Sequence, residues 1–185
     1  MDLEKRIQRL EDIEAIRYLQ AKYQRCLDTR DFNGIASCFA DDVVSAYGNG
    51  EMSFNGKDAV IGFLMHSMTL EMPSAHMIHG GEIDVDGDTA TGKWYLQDFL
   101  IVKGHGVNIF GAAIYENKYA KINGEWKIKN IGYKRLYEYK DMISQVQQAT
   151  LEKTTYLDEI KAKSTDEFTG YNKAFKDMPL NPEKR

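Results

Sequence analysis

A carboxylate set among apolar strand residues demands a chemical explanation. Asp98 lies within Trp94-Tyr95-Leu96-Gln97-Asp98-Phe99-Leu100 and shares its alternating parity with Trp94, Leu96 and Leu100, so it belongs to the inward face of a strand. An inward carboxylate is unfavourable unless it is paired. The preceding strand offers His76 and His79. Three residues apart, they face opposite sides unless a bulge intervenes. A carboxylate bonded to one imidazole nitrogen fixes the tautomer and raises the basicity of the other nitrogen, which is the arrangement of a general base. Arg135 is a second inward charge, sharing parity with Ile131, Tyr133 and Tyr137. It calls for a buried carboxylate or an anionic ligand, or else it sits at a rim with its stem along the apolar wall.

Tyr23 lies on the apolar stripe of the first helix, and Asp28 follows at that helix's end. A buried phenol needs a hydrogen-bond partner. Taken alone, Tyr23 reads as a satisfied core tyrosine, Asp28 as a cap or turn residue, and either histidine as structural. The histidines form no zinc-binding spacing. Cys26 and Cys38 also lack ligand spacing and read as reduced, buried thiols. No metal and no cofactor are expected.

The elements that must position these residues follow from periodicity. Leu3, Ile7, Leu10, Ile13, Ile16, Leu19, Tyr23 and Leu27 recur every three or four positions, which predicts one long amphipathic helix. Thr29-Arg30-Asp31 breaks it, and 32–39 reads as a second, short helix. Residues 43–47 predict a strand, Gly48-Asn49-Gly50 a turn, 52–54 a returning strand, and 57–68 a third helix with Val60, Phe63, Leu64 and Met68 inward. Segments 75–85, 89–102, 107–122 and 125–139 are rich in β-branched and aromatic residues, with Asp86-Gly87 and Asn123-Gly124 between them. Those dipeptides signal tight hairpins, so a four-strand antiparallel meander is expected. Helices followed by a strongly curved sheet make an α+β cone with one open mouth, suited to a flat apolar ligand. The expected organisation is an α+β barrel over 1–139 and a helical C-terminal extension over 140–185.

The chain has 185 residues, of which 43% are hydrophobic, and a net charge of −4. No basic patch can neutralise a row of phosphates, so nucleic acid is not an expected partner. The first residues, MDLEKRIQRLEDIEA, lack a signal peptide's apolar core, and no stretch approaches a membrane span. A cytoplasmic protein without membrane contact is expected, forming a homo-oligomer, either dimer or trimer.

With these residues placed, the sequence resembles the SnoaL-like branch of the nuclear-transport-factor-like superfamily, and within it the bile acid 7α-dehydratases or a 7β-acting relative. DIEAIRYLQAKYQRCLD (12–28), VVSAYGNG (43–50), AHMIHGGEI (75–83), TATGKWYLQD (89–98) and NKYAKINGEWKIKNIGYKR (117–135) carry the likeness, which covers residues 1 to about 138. The resemblance implies a catalytic set of Tyr23, Asp28, His76 and Asp98, with Tyr47 and Arg135 in the substrate site; Trp94 and Tyr115 are expected to line the same pocket. The loop between the second and third long strands is shorter than the family's and lacks a tyrosine found there. The tail after Tyr139 is longer.

The resemblance further implies a 3-oxo-Δ4 bile acid substrate, free or as its coenzyme A thioester. His76, oriented by Asp98, would remove a ring proton, and Tyr23 would protonate the departing 7-hydroxyl, or the two roles would be exchanged. Asp28 would tune the pair. A ketosteroid isomerase is the rival enzyme; it uses an Asp base with a Tyr and a protonated Asp in its oxyanion hole. A non-catalytic steroid-binding module is the rival from another class.

Overall fold

The computed structural model describes residues 2–142. The first helix, α1 (Leu3–Asp28), is capped by Asp2, whose carboxylate accepts the Lys5 N–H at 2.9 Å. A second helix, α2 (Phe32–Cys38), is capped in the same way by Asp31. Strand β1 (Phe39–Tyr47) turns through Gly48-Asn49-Gly50 into β2 (Met52–Asn55), and helix α3 (Lys57–Ser67) follows. The meander is β3 (Ser74–Asp86), β4 (Thr89–Val102), β5 (Val107–Ile122) and β6 (Glu125–Met142). Two of its three hairpin turns, β3–β4 and β5–β6, place Gly87, Asn123 and Gly124 at positive φ, as their sequences require.

All the strands form one six-stranded sheet in the order β2-β1-β6-β5-β4-β3. The pairs are antiparallel except β1 with β6, which run parallel. The sheet is curved and unclosed, and the helices fill its concave side. Ile16, Leu19, Tyr23 and Leu27 from α1, with Val60, Ile61 and Leu64 from α3, pack against Trp94, Leu96, Ala113, Tyr115, Tyr119, Ile128 and Ile131 from the sheet. Burying such a set is the main stabilising term of the cone. This is the expected α+β cone.

Two expectations need correction. The apolar stripe of α1 does not reach the core along its whole length: Leu3, Ile7 and Leu10 are exposed, and the buried stripe begins at Ile16. The sheet also continues beyond residue 139, since Tyr139 to Met142 still pair with β5. The rest of the expected C-terminal helix lies outside the described residues. Among the described residues, no helix is long and apolar enough to cross a membrane.

Candidate active site

His76 is the inward histidine. It sits near the start of β3 with a side chain only 9% exposed, while His79 faces outward and is exposed. A bulge at Gly80 resets the alternation further along, so that Gly81 pairs with Trp94. The last residue of α1 meets His76 across 48 positions of sequence: His76 Nδ1 lies 2.6 Å from Asp28 Oδ1. Asp28 also accepts the His76 backbone N–H on Oδ2 at 2.8 Å and the Ser74 hydroxyl on Oδ1 at 2.8 Å. Every group around the carboxylate is a donor. A carboxylate facing Nδ1 puts the proton on that nitrogen and leaves a lone pair on Nε2.

Asp98 was expected to orient His76, and it does not. The two stand directly opposite each other in the β3–β4 ladder, but both oxygens of Asp98 are taken by Arg135, Oδ1 by Nη1 at 2.7 Å and Oδ2 by Nη2 at 2.8 Å. The fork of a guanidinium matches a carboxylate in this way better than an imidazole can. Asp98 is 3% exposed, so this ion pair is what permits its burial. Arg135 reaches it from β6 across β5, over Gly111, the cross-strand partner of Asp98. A Cβ on Gly111 would lie 2.3 Å from Arg135 Nη1 and 2.6 Å from Asp98 Oδ1; the missing side chain is the passage the ion pair uses.

The remaining faces of Arg135 are engaged as well. Its Nε lies 3.2 Å from Glu138, its guanidinium carbon sits 4.8 Å from the Tyr133 ring centre, and its backbone N–H donates to Asn49 at 2.9 Å. Burial opposes the charge of Arg135, but the Asp98 hydrogen bonds and charge outweigh it and raise its pKa. The guanidinium's partner is therefore a carboxylate of the chain rather than an anionic ligand. The parity reading that grouped Tyr137 with Arg135 also fails. The β5–β6 register skips Leu136, a bulge that turns Tyr137 to the exposed side.

Tyrosines form the other wall. The Tyr23 and Tyr47 hydroxyls are 3.2 Å apart, joining α1 to the end of β1. Tyr47 packs on Phe63 of α3 and on Tyr133 of β6, with ring centres 5.6 and 6.0 Å apart. Tyr115 meets Tyr133 edge-on at 5.7 Å. Burial pushes the pKa values of Tyr23, Tyr47, Tyr115 and Tyr133 upward, and neighbouring phenols reinforce this for Tyr23 and Tyr115. These groups stay protonated and available as donors at neutral pH.

Trp94 takes a different part. Its indole N–H donates to the Tyr119 hydroxyl at 2.9 Å, which in turn donates to Gln20 at 2.8 Å, and Asn117 donates to the same Gln20 oxygen. Its ring lies over Gly81, where a Cβ would come within 2.4 Å. Trp94 thus belongs to a buried polar knot one stretch of strand away from Asp98, about 13 Å along β4 at the usual rise per residue. Tyr115 stands in the tyrosine wall, edge-on to Tyr133.

Arg30, Ser74, Gly111 and Tyr133 join the site without having been singled out. Arg30 sits in the segment that breaks α1, where an arginine carries no distinguishing signal. Gly111 is signalled by its position opposite Asp98, which becomes visible only with the register.

The chain is therefore an α+β cone protein with an Asp–His pair and a cluster of protonated phenols on the concave side of its sheet. The sequence pattern of the SnoaL-like domain matches residues 8–131, and the chain belongs to that family. Solved structures share the fold. A hexachlorocyclohexane dehydrochlorinase, LinA type 2, is 20% identical with a TM-score of 0.68, covering 73% of this chain and 92% of its own. LinA type 3 from Novosphingobium barchaimii is 19% identical with a TM-score of 0.67, covering 73% and 93%. A putative scytalone dehydratase from Novosphingobium aromaticivorans is 19% identical with a TM-score of 0.67, covering 74% and 91%. At these identities the likeness is one of fold.

Proposed function

We propose that the protein is a lyase that removes water from an oxo-activated ring substrate, with a 3-oxo-Δ4 bile acid bearing a 7-hydroxyl as the substrate class, free or as its coenzyme A thioester. The observation that carries this reading is the His76 Nδ1–Asp28 Oδ1 contact of 2.6 Å, made by an imidazole almost withdrawn from water. Asp28 holds the proton on Nδ1, so Nε2 is the base. It takes the ring proton acidified by the conjugated ketone. The C–H electron pair becomes a new double bond in conjugation, and the 7-hydroxyl departs with its C–O pair. Tyr23 gives that oxygen a proton, so that water leaves, and Tyr47 hydrogen-bonds the resulting phenolate until it is reprotonated. Each positioned acid or base contributes roughly a hundred- to ten-thousand-fold in rate.

In this reading Asp98 and Arg135 act as one neutral ion pair beside His76, and Tyr115 and Tyr133 shape the wall against the ring system. The names of two neighbours in fold, a dehydrochlorinase and a putative scytalone dehydratase, agree with an elimination. The dehydratase suggestion for this chain still rests on its own residues.

The test is turnover of a 3-oxo-Δ4-7-hydroxy steroid followed by mass spectrometry and ultraviolet absorption. Loss of one water with a red-shifted chromophore, abolished in His76→Ala, supports the reading. An unchanged mass with a moved double bond indicates an isomerase. No turnover, with His76→Ala binding the steroid like the parent, indicates a binding module.

A further inference from the structure

Arg30 adopts a left-handed backbone conformation, φ 56, which side chains disfavour and glycine tolerates. An arginine held there implies that its side chain is needed at that place. The guanidinium is buried, with 6% of the residue exposed, and it folds back over the end of α1. It donates to the Leu27 and Asp28 carbonyls at 3.0 and 2.8 Å, capping the helix terminus with a positive charge. It also donates to the Thr69 carbonyl at 3.2 Å and to the Met72 carbonyl in the segment that leads into β3. Its last partner is the Ser74 hydroxyl, at 2.8 Å.

This last contact has a direction. An arginine can only donate, so Ser74 Oγ is the acceptor and its single hydrogen is left for another partner. That partner is Asp28 Oδ1, at 2.8 Å. The same oxygen faces His76 Nδ1 at 2.6 Å. The chain therefore runs Arg30 to Ser74 to Asp28, with His76 donating into Asp28 from the other side, and no member can reverse its bond while Arg30 is in place. An Asp28 surrounded only by donors can meet His76 only as an acceptor.

We propose that Arg30 and Ser74 are positioning residues which hold the Asp28 carboxylate in line with His76 Nδ1, so that the tautomer with its lone pair on Nε2 is kept. The proposal rests on the reading of His76 as the base only for its effect on rate; the tautomer itself is observable without substrate. Arg30 also ties the end of α1 to the start of β3, so its removal threatens the fold. Ser74 separates the two roles. Ser74→Ala deletes the relay hydroxyl and keeps the β3 backbone, whereas Ser74→Thr restores the hydroxyl.

The experiment is nitrogen NMR of the 185-residue chain labelled at its histidine rings, with His76 assigned by comparison with His76→Gln. The parent and Ser74→Thr should show one His76 tautomer, protonated on Nδ1. Ser74→Ala should show averaged ring shifts, signifying two exchanging tautomers, and Arg30→Lys a smaller displacement in the same sense. With a 3-oxo-Δ4-7-hydroxy steroid, Ser74→Ala should lower kcat about tenfold through lost positioning with KM unchanged, and Ser74→Thr should recover it. Identical His76 shifts in Ser74→Ala and the parent would overturn the proposal. Averaged shifts accompanied by full activity in His76→Gln would leave the positioning role standing and overturn the reading of His76 as the base.

Discussion

Asp98 and Arg135 are joined through both oxygens and both Nη atoms, at 2.7 and 2.8 Å, across the bare Cα of Gly111. The pair does more than neutralise two charges. With Asp98 occupied, the strand-opposite His76 is left to Asp28, and the imidazole is served by one carboxylate on Nδ1 rather than contested by two. Its guanidinium also lies on the Tyr133 ring, which connects the ion pair to the tyrosine wall. The two halves of the site, Asp–His and phenolic, are thus held to one another by a salt bridge that need not touch substrate.

That arrangement makes the ion pair costly to break from one side. Arg135→Met should destabilise the protein by about 3–5 kcal/mol, because it strands a buried carboxylate. The double change Arg135→Met with Asp98→Leu should recover most of the loss. Gly111→Ala should cost about 1–3 kcal/mol through overpacking, whereas Ala112→Gly beside it should leave the ion pair intact. Urea denaturation of these four variants and of Asp98→Leu checks this; additive losses in the double mutant would show that the pair is not coupled.

The Asp28–His76 pair leads to a kinetic expectation of a different form. His76→Ala and Asp28→Asn should each lower turnover of the 3-oxo-Δ4-7-hydroxy steroid by at least about a hundredfold. Asparagine keeps the shape of Asp28 but can present its amide hydrogens to Nδ1 and favour the wrong tautomer. The double variant should be little slower than the slower single, since groups acting in one step fail together. Multiplying losses would mean that Asp28 serves catalysis by a route other than His76.

The fold was legible because its signals are local. Asp86-Gly87 and Asn123-Gly124 mark hairpins whatever surrounds them, and alternation along 89–102 assigns each residue a face. The same alternation turned Asp98 and Arg135 inward but could not pair them, because that requires the register of three strands, with Gly111 on the middle one. It failed at Tyr137, since a bulge at Leu136 leaves no compositional trace. His76 had two carboxylates within plausible reach, and the choice of Asp28 depends on where the end of α1 lands against β3, a contact between segments 48 residues apart. Leu3, Ile7 and Leu10 show the converse limit: periodicity gives a helix its face but not the length over which a partner covers it.

The buried phenols predict an alkaline response. Burial raises the pKa values of Tyr23, Tyr47, Tyr115, Tyr119 and Tyr133 above their ordinary value near 10. A group whose pKa is higher when folded contributes stability that is present below the unfolded value and lost as pH rises through the folded one. The fold should therefore weaken progressively above about pH 10. In a phenolate absorbance titration, the buried set should ionise only as the circular dichroism of the sheet is lost. All of them titrating in one early step with the sheet intact would contradict the enclosed tyrosine wall.

The acid side is governed by a carboxylate remote from the proposed chemistry. Asp12 on α1 is buried and accepts Lys121 Nζ at 2.7 Å, the Trp126 indole N–H at 2.9 Å and Gln8 at 3.4 Å. It fastens the helix to the β5–β6 hairpin. Burial by itself would raise its pKa, but the hydrogen bonds from Lys121 and Trp126 and the lysine charge outweigh that and bring it below 3.8. For a carboxylate with a depressed folded pKa, the stabilisation is present above the unfolded value and disappears as pH falls through the folded one. Asp12→Asn keeps an acceptor for the indole and loses the charge, so it should cost about 2 kcal/mol at neutral pH, the scale of a hydrogen bond to a charged group. The gap between the variant and the parent should stay constant from neutral pH down to about pH 5 and close as the pH falls below about 4. Urea midpoints measured across that range decide the matter: a gap that persists unchanged into strong acid would assign the role of Asp12 to packing rather than to its charge.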